Sequence, residues 1–473
     1  MQRLLCARVL LCSLCLLAGG CATWPARDTA PPELPSQWRY SASAATASPA
    51  NVHPGVLPDT LSSEWWRGFG NAELDALVSQ ARTQSLDIAA SVARIRQAQA
   101  AARIAGASLM PEVSADLQAG RQGRFGGHAT VDGTTYAAGL NTSYEVDFWG
   151  RNRAAGHSAL QTLSAARFDH DTVRLAVTAG VASVWVQTVM FRERTVIATR
   201  NLQSAQRLLV LVQSQVDAGS ATALALAQQH TLVAAQQRIA AALSQQAENA
   251  RIALTQLIGQ AADLPVHTPS LTKITVPTIH ADVPSALLVR RPDIARAEAR
   301  LAAADADVLA ARAAMLPRLV LSTYVGSGSS HLNQVLSNPL YSLAAGLAAP
   351  IFNAGRLAAG HELAQARREE LLADYRQTIL AAFADTQSAL ANMHGVQAQL
   401  DAQSEELAQA QRVLALSESR YRSGADTLLV LLDAQRTLYA AQDEAARLRA
   451  LQLQAAIDLY KALGGGWRRD ESR

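Results

Sequence analysis

Histidines, cysteines and glycine-rich stretches are the features of this 473-residue sequence that could bind metals, transfer protons or hold phosphate. The ten histidines are scattered, and His128, His157 and His170 have no acidic or cysteine residues at the spacing of metal ligands. The run Gly464-Gly465-Gly466 predicts a helix stop and not a phosphate loop. The sequence has no His-Glu-x-x-His motif and no dinucleotide fingerprint. We therefore predict that the chain is not an enzyme and has no catalytic residues, metal site or cofactor-binding site.

The cysteines indicate a covalent modification near the N-terminus. All four lie within the first 21 residues, at positions 6, 12, 15 and 21. A basic start, a short apolar run and the small residues Ala18-Gly19-Gly20 predict a signal peptide over residues 1–20. Cys21 would then be the one cysteine of the mature chain, and its position resembles a bacterial lipobox, in which the thiol receives a diacylglyceryl group. We therefore predict a lipid on Cys21; an ordinary signal peptide that contains cysteine is the alternative.

Composition excludes several classes of protein. Hydrophobic residues make up 49% of the chain and charged residues 17%, which is not the composition of a disordered protein. The formal net charge of +3 is too small to indicate nucleic acid as a partner. Residues 21–60 are rich in Pro, Ser, Ala and Thr and predict an extended, poorly ordered arm. After the signal peptide, no stretch reaches about 20 uninterrupted apolar residues, so we predict no transmembrane helix there.

One internal repeat organises the rest of the chain, because a shift of about 205 residues superposes its two halves. The stretch Asp147-Phe148-Trp149-Gly150-Arg151 matches Ile351-Phe352-Asn353-Ala354-Gly355-Arg356 with one residue inserted, and Gly219 matches Gly424. The sequence therefore predicts a first repeat at 61–265, a linker at 266–283, a second repeat at 284–464 and a C-terminal tail at 465–473.

Each repeat contains two segments in which apolar residues alternate with polar or small ones, within about 112–148 and about 318–352. Their length and alternation fit strands that cross an outer membrane with their apolar side toward lipid. Two hairpins of a soluble sheet would show the same alternation. Four strands cannot close a barrel, and lipid does not tolerate open sheet edges, so a membrane location predicts that several chains pool their strands.

Long helical segments surround the strands in both repeats. A helix over about 71–109 is predicted before the strands of the first repeat, and one over 293–315 in the second. After the strands come helical regions at about 151–259 and about 355–463, each broken once at a glycine-containing turn. Apolar residues recur every seven positions, which predicts coiled-coil packing; one such series is Leu400, Leu407, Leu414 and Tyr421.

The sequence resembles outer membrane factors of the TolC superfamily, in particular the NodT-like lipoproteins that serve resistance-nodulation-division (RND) efflux systems. The most specific matching stretch is Arg290-Arg291-Pro292-Asp293-Ile294, and the similarity covers essentially the whole mature chain. The resemblance implies a mainly α fold with a membrane β-barrel. Three chains would each contribute four strands to a twelve-stranded barrel in the outer membrane, and their helices would form a long α-helical barrel, or tunnel, in the periplasm.

The resemblance also implies a function and a site. The chain would be a passive exit duct for small molecules or drugs, and a periplasmic adaptor (membrane fusion) protein and an inner-membrane RND transporter would dock at its tip. Gate positions carried over from the family are Arg420, Tyr421, Leu429 and Asp433, whereas the first repeat has Gln228 where an acid equivalent to Asp433 would stand. The outer-membrane component of a type I protein-secretion system, which shares the fold, and a soluble coiled-coil scaffold are the alternatives.

Overall fold

The computed structural model describes residues 32, 35–40, 63–126, 133–261, 264–279 and 284–469. The predicted signal peptide at 1–20 and the predicted lipidation site Cys21 lie outside these ranges, as do residues 470–473 of the predicted tail. All elements described below belong to one compact unit, Leu34–Arg473.

The first half of this unit starts with a 3-10 helix and continues as two helices, two strands and two long helices. The elements are the 3-10 helix Trp65–Phe69, α1 (Ala72–Gln84), α2 (Leu86–Ala107), β1 (Glu112–Gln122), β2 (Gly133–Val146), α3 (Arg151–Asp217) and α4 (Ala223–Ile258). The prediction of one helix over about 71–109 is wrong. The backbone of Ser85 is extended, with ψ 127°, so α1 ends there and α2 begins as a separate helix.

The second half repeats this order after a linker. Its elements are α5 (Leu287–Arg290), α6 (Pro292–Ala313), β3 (Arg318–Ser329), β4 (Pro339–Ala348), α7 (Arg356–Arg422) and α8 (Leu428–Ala462). Helices α3 and α7 have 67 residues each, so each is ~100 Å long at 1.5 Å per residue. Gly219 and Gly424 have φ values of 72° and 74°, and this left-handed conformation ends each long helix at the turn to its return helix. The order and the lengths of the elements thus show the duplication that the sequence predicts.

The four strands form one antiparallel sheet in the order β1-β2-β3-β4. The register pairs Ala115 with Leu140, Leu140 with Val325, and Val325 with Tyr341. One face of the sheet therefore collects the alternating apolar residues of all four strands. Its large side chains are exposed in the single chain: Val113, Leu117, Leu140, Leu321, Val325, Tyr341, Leu343 and Leu347.

The opposite face of the sheet carries mostly polar or small residues, with Val320 and Leu340 as apolar exceptions. Here Asn141 Nδ2 donates a hydrogen bond to Asp116 Oδ1 at 2.6 Å. The ring of Tyr324 lies over Gly139 and Gly326, where a Cβ would come within 2.3 and 2.4 Å of the tyrosine atoms. These two glycines are needed because the ring approaches the backbone closely. The sheet thus has one apolar and one hydrophilic side, and among the described residues its outer edges, β1 and β4, have no strand partner.

The main hydrophobic core lies where the two repeats and the linker meet, and we call it the central core. Its largest fully buried side chains are Phe69, Leu74, Trp185, Leu254, Ile258, Leu271, Ile274 and Leu453. Trp185 Nε1 donates to Glu73 Oε2 at 3.1 Å, and Glu73 also accepts hydrogen bonds from the backbone N–H and hydroxyl of Thr268 at 3.1 and 2.6 Å. Burial raises the pKa of Glu73, but hydrogen bonds from His267, Thr268 and Trp185 outweigh it and hold the pKa below its ordinary value. One carboxylate therefore fixes the linker against α1 and α3.

The central core also accounts for the apolar composition of α3. Among the described residues, α3 is the one helix with an 18-residue stretch apolar enough to cross a membrane, and 56% of that stretch is buried inside the chain. Burial of this kind is typical of a core helix and does not indicate a lipid-facing one.

Part of the predicted arm at 21–60 belongs to the folded body. Trp38 stacks on Phe383 of α7 with ring centroids 5.0 Å apart, and Tyr40 stacks on His394 at 5.7 Å. Trp38 is 6% exposed. The prediction of a poorly ordered arm is therefore wrong for residues 35–40. The Pro- and Ser-rich composition indicated a linker, but two aromatic side chains bury enough surface to hold this segment on α7.

The Arg-Arg-Pro-Asp-Ile block joins three helices through one buried arginine. Arg291 Nε and Nη2 donate to the two carboxylate oxygens of Asp293 at 3.0 and 2.7 Å, and Nη2 also lies 3.3 Å from Asp385 of α7. Arg291 Nη1 donates to the carbonyl of Ala462, the last residue of α8, at 3.1 Å. Burial opposes the charge of Arg291, but the hydrogen bond and charge of Asp293, helped by Asp385, raise its pKa above the ordinary value. Burial likewise raises the pKa of Asp293, but the hydrogen bond and charge of Arg291 outweigh burial and hold this pKa below its ordinary value.

Replacement of Arg291 by alanine should lower the free energy of unfolding by about 3 kcal/mol, because Asp293 and the Ala462 carbonyl are left buried without their charged donor. Thermal unfolding of the purified full chain, followed by circular dichroism, measures this loss. Arg300→Ala on the exposed side of α6 removes the same charge and should change the midpoint little. Because the pKa of Asp293 is depressed in the folded chain, its contribution is present above pH ~4 and disappears as the pH falls through the lower folded value. Equal midpoints for both variants would contradict the role of Arg291.

Candidate functional site

The far ends of the two helical hairpins form a tip in which residues of α3, α4, α7 and α8 meet. Seven buried residues make up what we call the tip cluster: Ala205, Val212, Leu232, Val233, Leu428, Leu431 and Leu432. Leu414 and Tyr421 of α7, both members of the predicted seven-residue series, pack against it. Apolar packing therefore holds the ends of both repeats together and positions the polar residues around them.

Arg420 pairs with an acid of its own hairpin turn. Its Nε donates to Asp426 Oδ2 at 2.5 Å, across the turn that joins α7 to α8. The side chain of Arg420 is 60% exposed, whereas that of Asp426 is 24% exposed. The hydrogen bond and charge of Asp426 raise the pKa of Arg420, so the guanidinium stays charged. An ion pair this exposed can exchange its partner at small cost.

Tyr421 connects the two repeats. Its hydroxyl donates to the Oε1 of Gln215, on the last turns of α3, at 2.6 Å. Burial of Tyr421 raises the pKa of the phenol, while the hydrogen bond with Gln215 partly offsets this rise. The phenol is therefore a protonated donor at neutral pH, and it holds the second hairpin against the first.

The other two predicted gate residues lie on the surface of α8. Leu429 is 61% exposed, and Asp433 is also exposed. Among the described residues, Asp433 has no hydrogen bond or ion pair, so one chain alone does not bring it to Arg420 or Tyr421. An exposed carboxylate and an exposed leucine on one helix face are available to a neighbouring chain.

The sequence analysis did not identify two residues, Asp426 and Gln215, that bind the predicted gate residues. Asp426 lies in the predicted turn but was not assigned a contact with Arg420. Gln215 corresponds to Arg420 at the shift of 205 residues, so the internal repeat placed it at the same level of the opposite hairpin. The repeat could therefore have identified Gln215 as a tip residue. Its contact with Tyr421 of α7, however, requires that α3 packs against the second hairpin, mainly through α8.

The histidines considered for metal binding have structural partners where they are described. His170 Nδ1 lies 2.8 Å from the hydroxyl of the buried Ser91, and burial lowers the pKa of His170, while the charge of Asp171 offsets part of this effect. His157 lies 3.4 Å from Gln161, and His128 is outside the described ranges. Within those ranges no group of three or more His, Cys, Asp or Glu residues is placed to hold a metal ion.

Two ~100 Å hairpins below an exposed sheet with one apolar face are the architecture of a chain that forms an outer-membrane channel. Comparison with known proteins agrees. A family model described as "Outer membrane efflux protein" matches residues 77–260 and again 283–465. The chain belongs to this outer membrane efflux protein family. The family consists of channels and not of enzymes, and the chain is an outer-membrane efflux protein with the TolC-like fold.

Individual relatives extend over nearly the whole chain. The pyoverdine export outer membrane protein OpmQ of Pseudomonas aeruginosa is 48% identical over 470 residues, which cover 97% of each protein. The toluene efflux pump outer membrane protein TtgI of Pseudomonas putida is 30% identical and covers 96% of this chain and 97% of its own length. The open-state crystal structure of the MtrE outer membrane channel of Neisseria gonorrhoeae is 27% identical, with a TM-score of 0.83 over 95% of this chain and 99% of that one.

Proposed function

We propose that the chain is one protomer of a homotrimeric exit duct, which passively conducts small molecules from the periplasm across the outer membrane. The observation that carries this proposal is the open sheet, whose apolar face is exposed and whose two edges have no partner among the described residues. Three copies would supply twelve strands, enough to close a barrel and to pair the edge backbone groups. The same three copies would bring twelve long helices into one periplasmic tunnel.

The partners of the duct follow from what it lacks. A passive duct supplies no energy for transport, so in our proposal the energy comes from a partner. In our proposal, a periplasmic adaptor (membrane fusion) protein and an inner-membrane RND transporter engage the exposed tip around Leu429 and Asp433. The relative TtgI, which is named for an efflux pump, supports an assembly with a pump.

The cargo is proposed from the relatives alone. Two proteins named for pyoverdine export are 48% and 47% identical to this chain over nearly their whole lengths, whereas TtgI is named for toluene. A siderophore of the pyoverdine type is the cargo that this similarity favours, and drugs or solvents come next. The outer-membrane component of a type I protein-secretion system remains the competing proposal, because it would have the same fold.

An export assay tests the duct. A deletion strain that carries the cognate adaptor and RND transporter should regain small-molecule export and drug tolerance when this chain is supplied. Leu117→Arg puts a charge on the apolar face of β1, at a cost of about 2–4 kcal/mol in the bilayer midplane, and should abolish trimers and export. Gln118→Arg, one residue further on the hydrophilic face, should preserve both.

The outcome also separates the two proposals. Recovery of a secreted protein without recovery of small-molecule export would favour type I secretion. Export that survives Leu117→Arg as well as Gln118→Arg would contradict the assignment of the apolar face to lipid.

The gate at the tip yields a second prediction for the assembled duct. Three-fold symmetry would bring three copies of Asp433 near the axis, where Arg420 or Tyr421 of a neighbouring chain could bind each carboxylate through a charge-assisted hydrogen bond. A loss of ~1 kcal/mol at each of three sites would shift the closed-to-open equilibrium about a hundredfold. Asp433→Ala should therefore raise single-channel conductance in planar bilayers and sensitivity to large antibiotics, with unchanged trimer yield.

Two further variants sharpen this prediction. Arg420→Ser combined with Tyr421→Phe should also open the duct, but it removes the pairs with Asp426 and Gln215 as well, so Asp433→Ala is the cleaner change. Asp401→Ala removes an exposed carboxylate of α7 that lies roughly 30 Å from the tip and should leave conductance unaltered. If Asp433→Ala and Asp401→Ala behave alike, the gate assignment fails and the duct proposal stands.

We also propose that a lipid on Cys21 anchors the mature chain in the outer membrane. The support is the lipobox-like sequence before Cys21. Labelled palmitate should appear in the wild-type protein and be absent from Cys21→Ser. Because acyl chains add affinity to a chain that also inserts its strands, the variant should still assemble, at reduced yield. Equal labelling of the two proteins would refute lipidation.

A further inference from the structure

A solvent-open cavity of about 460 Å³ lies beside the central core, between α3, the 3-10 helix Trp65–Phe69 and the loop that follows α8. Its walls come from the 3-10 helix at Trp65, from α1, from α3 between residues 161 and 178, from Ala299 of α6 and from the loop 464–469. Five arginines and one acid line it: Arg82, Arg167, Arg174, Arg468, Arg469 and Asp171. The cavity therefore concentrates positive charge in a chain whose formal net charge is only +3.

The acids in and around this cavity are already engaged. Asp171 accepts a hydrogen bond from Trp467 Nε1 at 3.0 Å and lies 3.9 Å from Arg174. Arg469 pairs with Glu298, outside the cavity wall, at 2.8 Å. These carboxylates consequently leave part of the positive charge in the cavity unbalanced.

Arg82 and Arg167 are the members of the set for which the described residues provide no ion pair. The guanidinium of Arg82 lies over the ring of Trp66 at 5.2 Å, which fixes its position. Burial lowers the pKa of Arg82, and so does the charge of Arg174, while the charge of Glu64 offsets part of this effect. Two partly buried guanidinium groups that line one cavity, neither of them in an ion pair, can be bridged by a single anion.

The shape of the cavity depends on the glycine run that the sequence analysis assigned only to a helix stop. Gly464, Gly465 and Gly466 all have positive φ values, 89°, 58° and 77°. A Cβ on Gly465 would lie 2.3 Å from Leu175 Cδ1 of α3 and 3.3 Å from Trp65 Nε1. Glycine thus lets the loop pass close to α3, and the loop carries Trp467 and Arg469 to the cavity.

We infer that this cavity binds a soluble small anion that carries a phosphate or carboxylate group, held between Arg82 and Arg167. Its position on α3 favours a soluble ligand over a lipid headgroup. The lining residues of α3 lie 10 to 27 residues beyond Arg151, where the helix begins, and so about 15–40 Å from the sheet. A bound anion would bridge α1 to α3.

The test is a titration of the purified full chain with inorganic phosphate, and separately with succinate, at constant ionic strength. The thermal-unfolding midpoint of the wild type should rise and saturate with either anion, because a ligand of the native state stabilises it. Arg82→Gln with Arg167→Gln should weaken the apparent affinity at least tenfold. Arg82→Lys with Arg167→Lys keeps both charges without the forked geometry and should recover part of the binding.

A matched control removes the same amount of charge at a distance from the cavity. Arg200→Gln with Arg207→Gln alters two exposed arginines of α3 outside the cavity and should bind as the wild type does. A rise that is linear and equal in all variants is a general salt effect and would overturn the inference. A response to phosphatidylglycerol nanodiscs, with none to soluble phosphate or succinate, would assign the cavity to lipid headgroups and overturn it as well.

Discussion

The unpaired backbone at the two edges of the sheet is the constraint on which the rest of the structure depends. β1 and β4 have no strand partner among the described residues, and the apolar face beside them carries exposed leucines such as Leu117 and Leu343. Water could solvate the edge groups, but it would then also contact the apolar face. Lipid would cover that face but cannot hydrogen-bond the edges. Both demands are met when identical chains join edge to edge in a membrane.

The turns that follow β2 and β4 connect the sheet to the long helices α3 and α7. Asp147 accepts hydrogen bonds from the backbone N–H groups of Asn152 and Arg153, both at 2.9 Å, and so caps the start of α3. In the second repeat, Asn353 accepts from the N–H of Leu357 at 3.2 Å. The best-matching landmarks of the internal repeat are therefore two versions of one capped turn. Each turn directs a long helix away from the strand before it, so the strand spacing sets where the long helices begin.

Periodic features were predictable from the sequence, whereas single contacts between distant segments were not. Alternation fixed which residues of β1 to β4 share a face, since a one-residue shift in register would invert that face. Composition misled for residues 35–40, because two aromatic rings decide their packing. The sequence has no proline or glycine at Ser85 that would predict the break between α1 and α2. For the predicted gate residues, the sequence located the tip, but the contact of Tyr421 with Gln215 depends on how α3 packs against the second hairpin, mainly through α8.

Burial gives different roles to Arg291 and Arg420, two arginines that the sequence alone does not distinguish. The side chain of Arg291 is 11% exposed, and a desolvated guanidinium needs fixed partners, so it holds the start of α6, the middle of α7 and the end of α8 in one arrangement. Arg420 is 60% exposed, and water can replace Asp426 whenever that ion pair opens. In the proposed duct, the wall has to stay rigid while the end changes shape. Arginine can serve both needs, because its exposure to solvent decides whether it fixes a structure or allows it to rearrange.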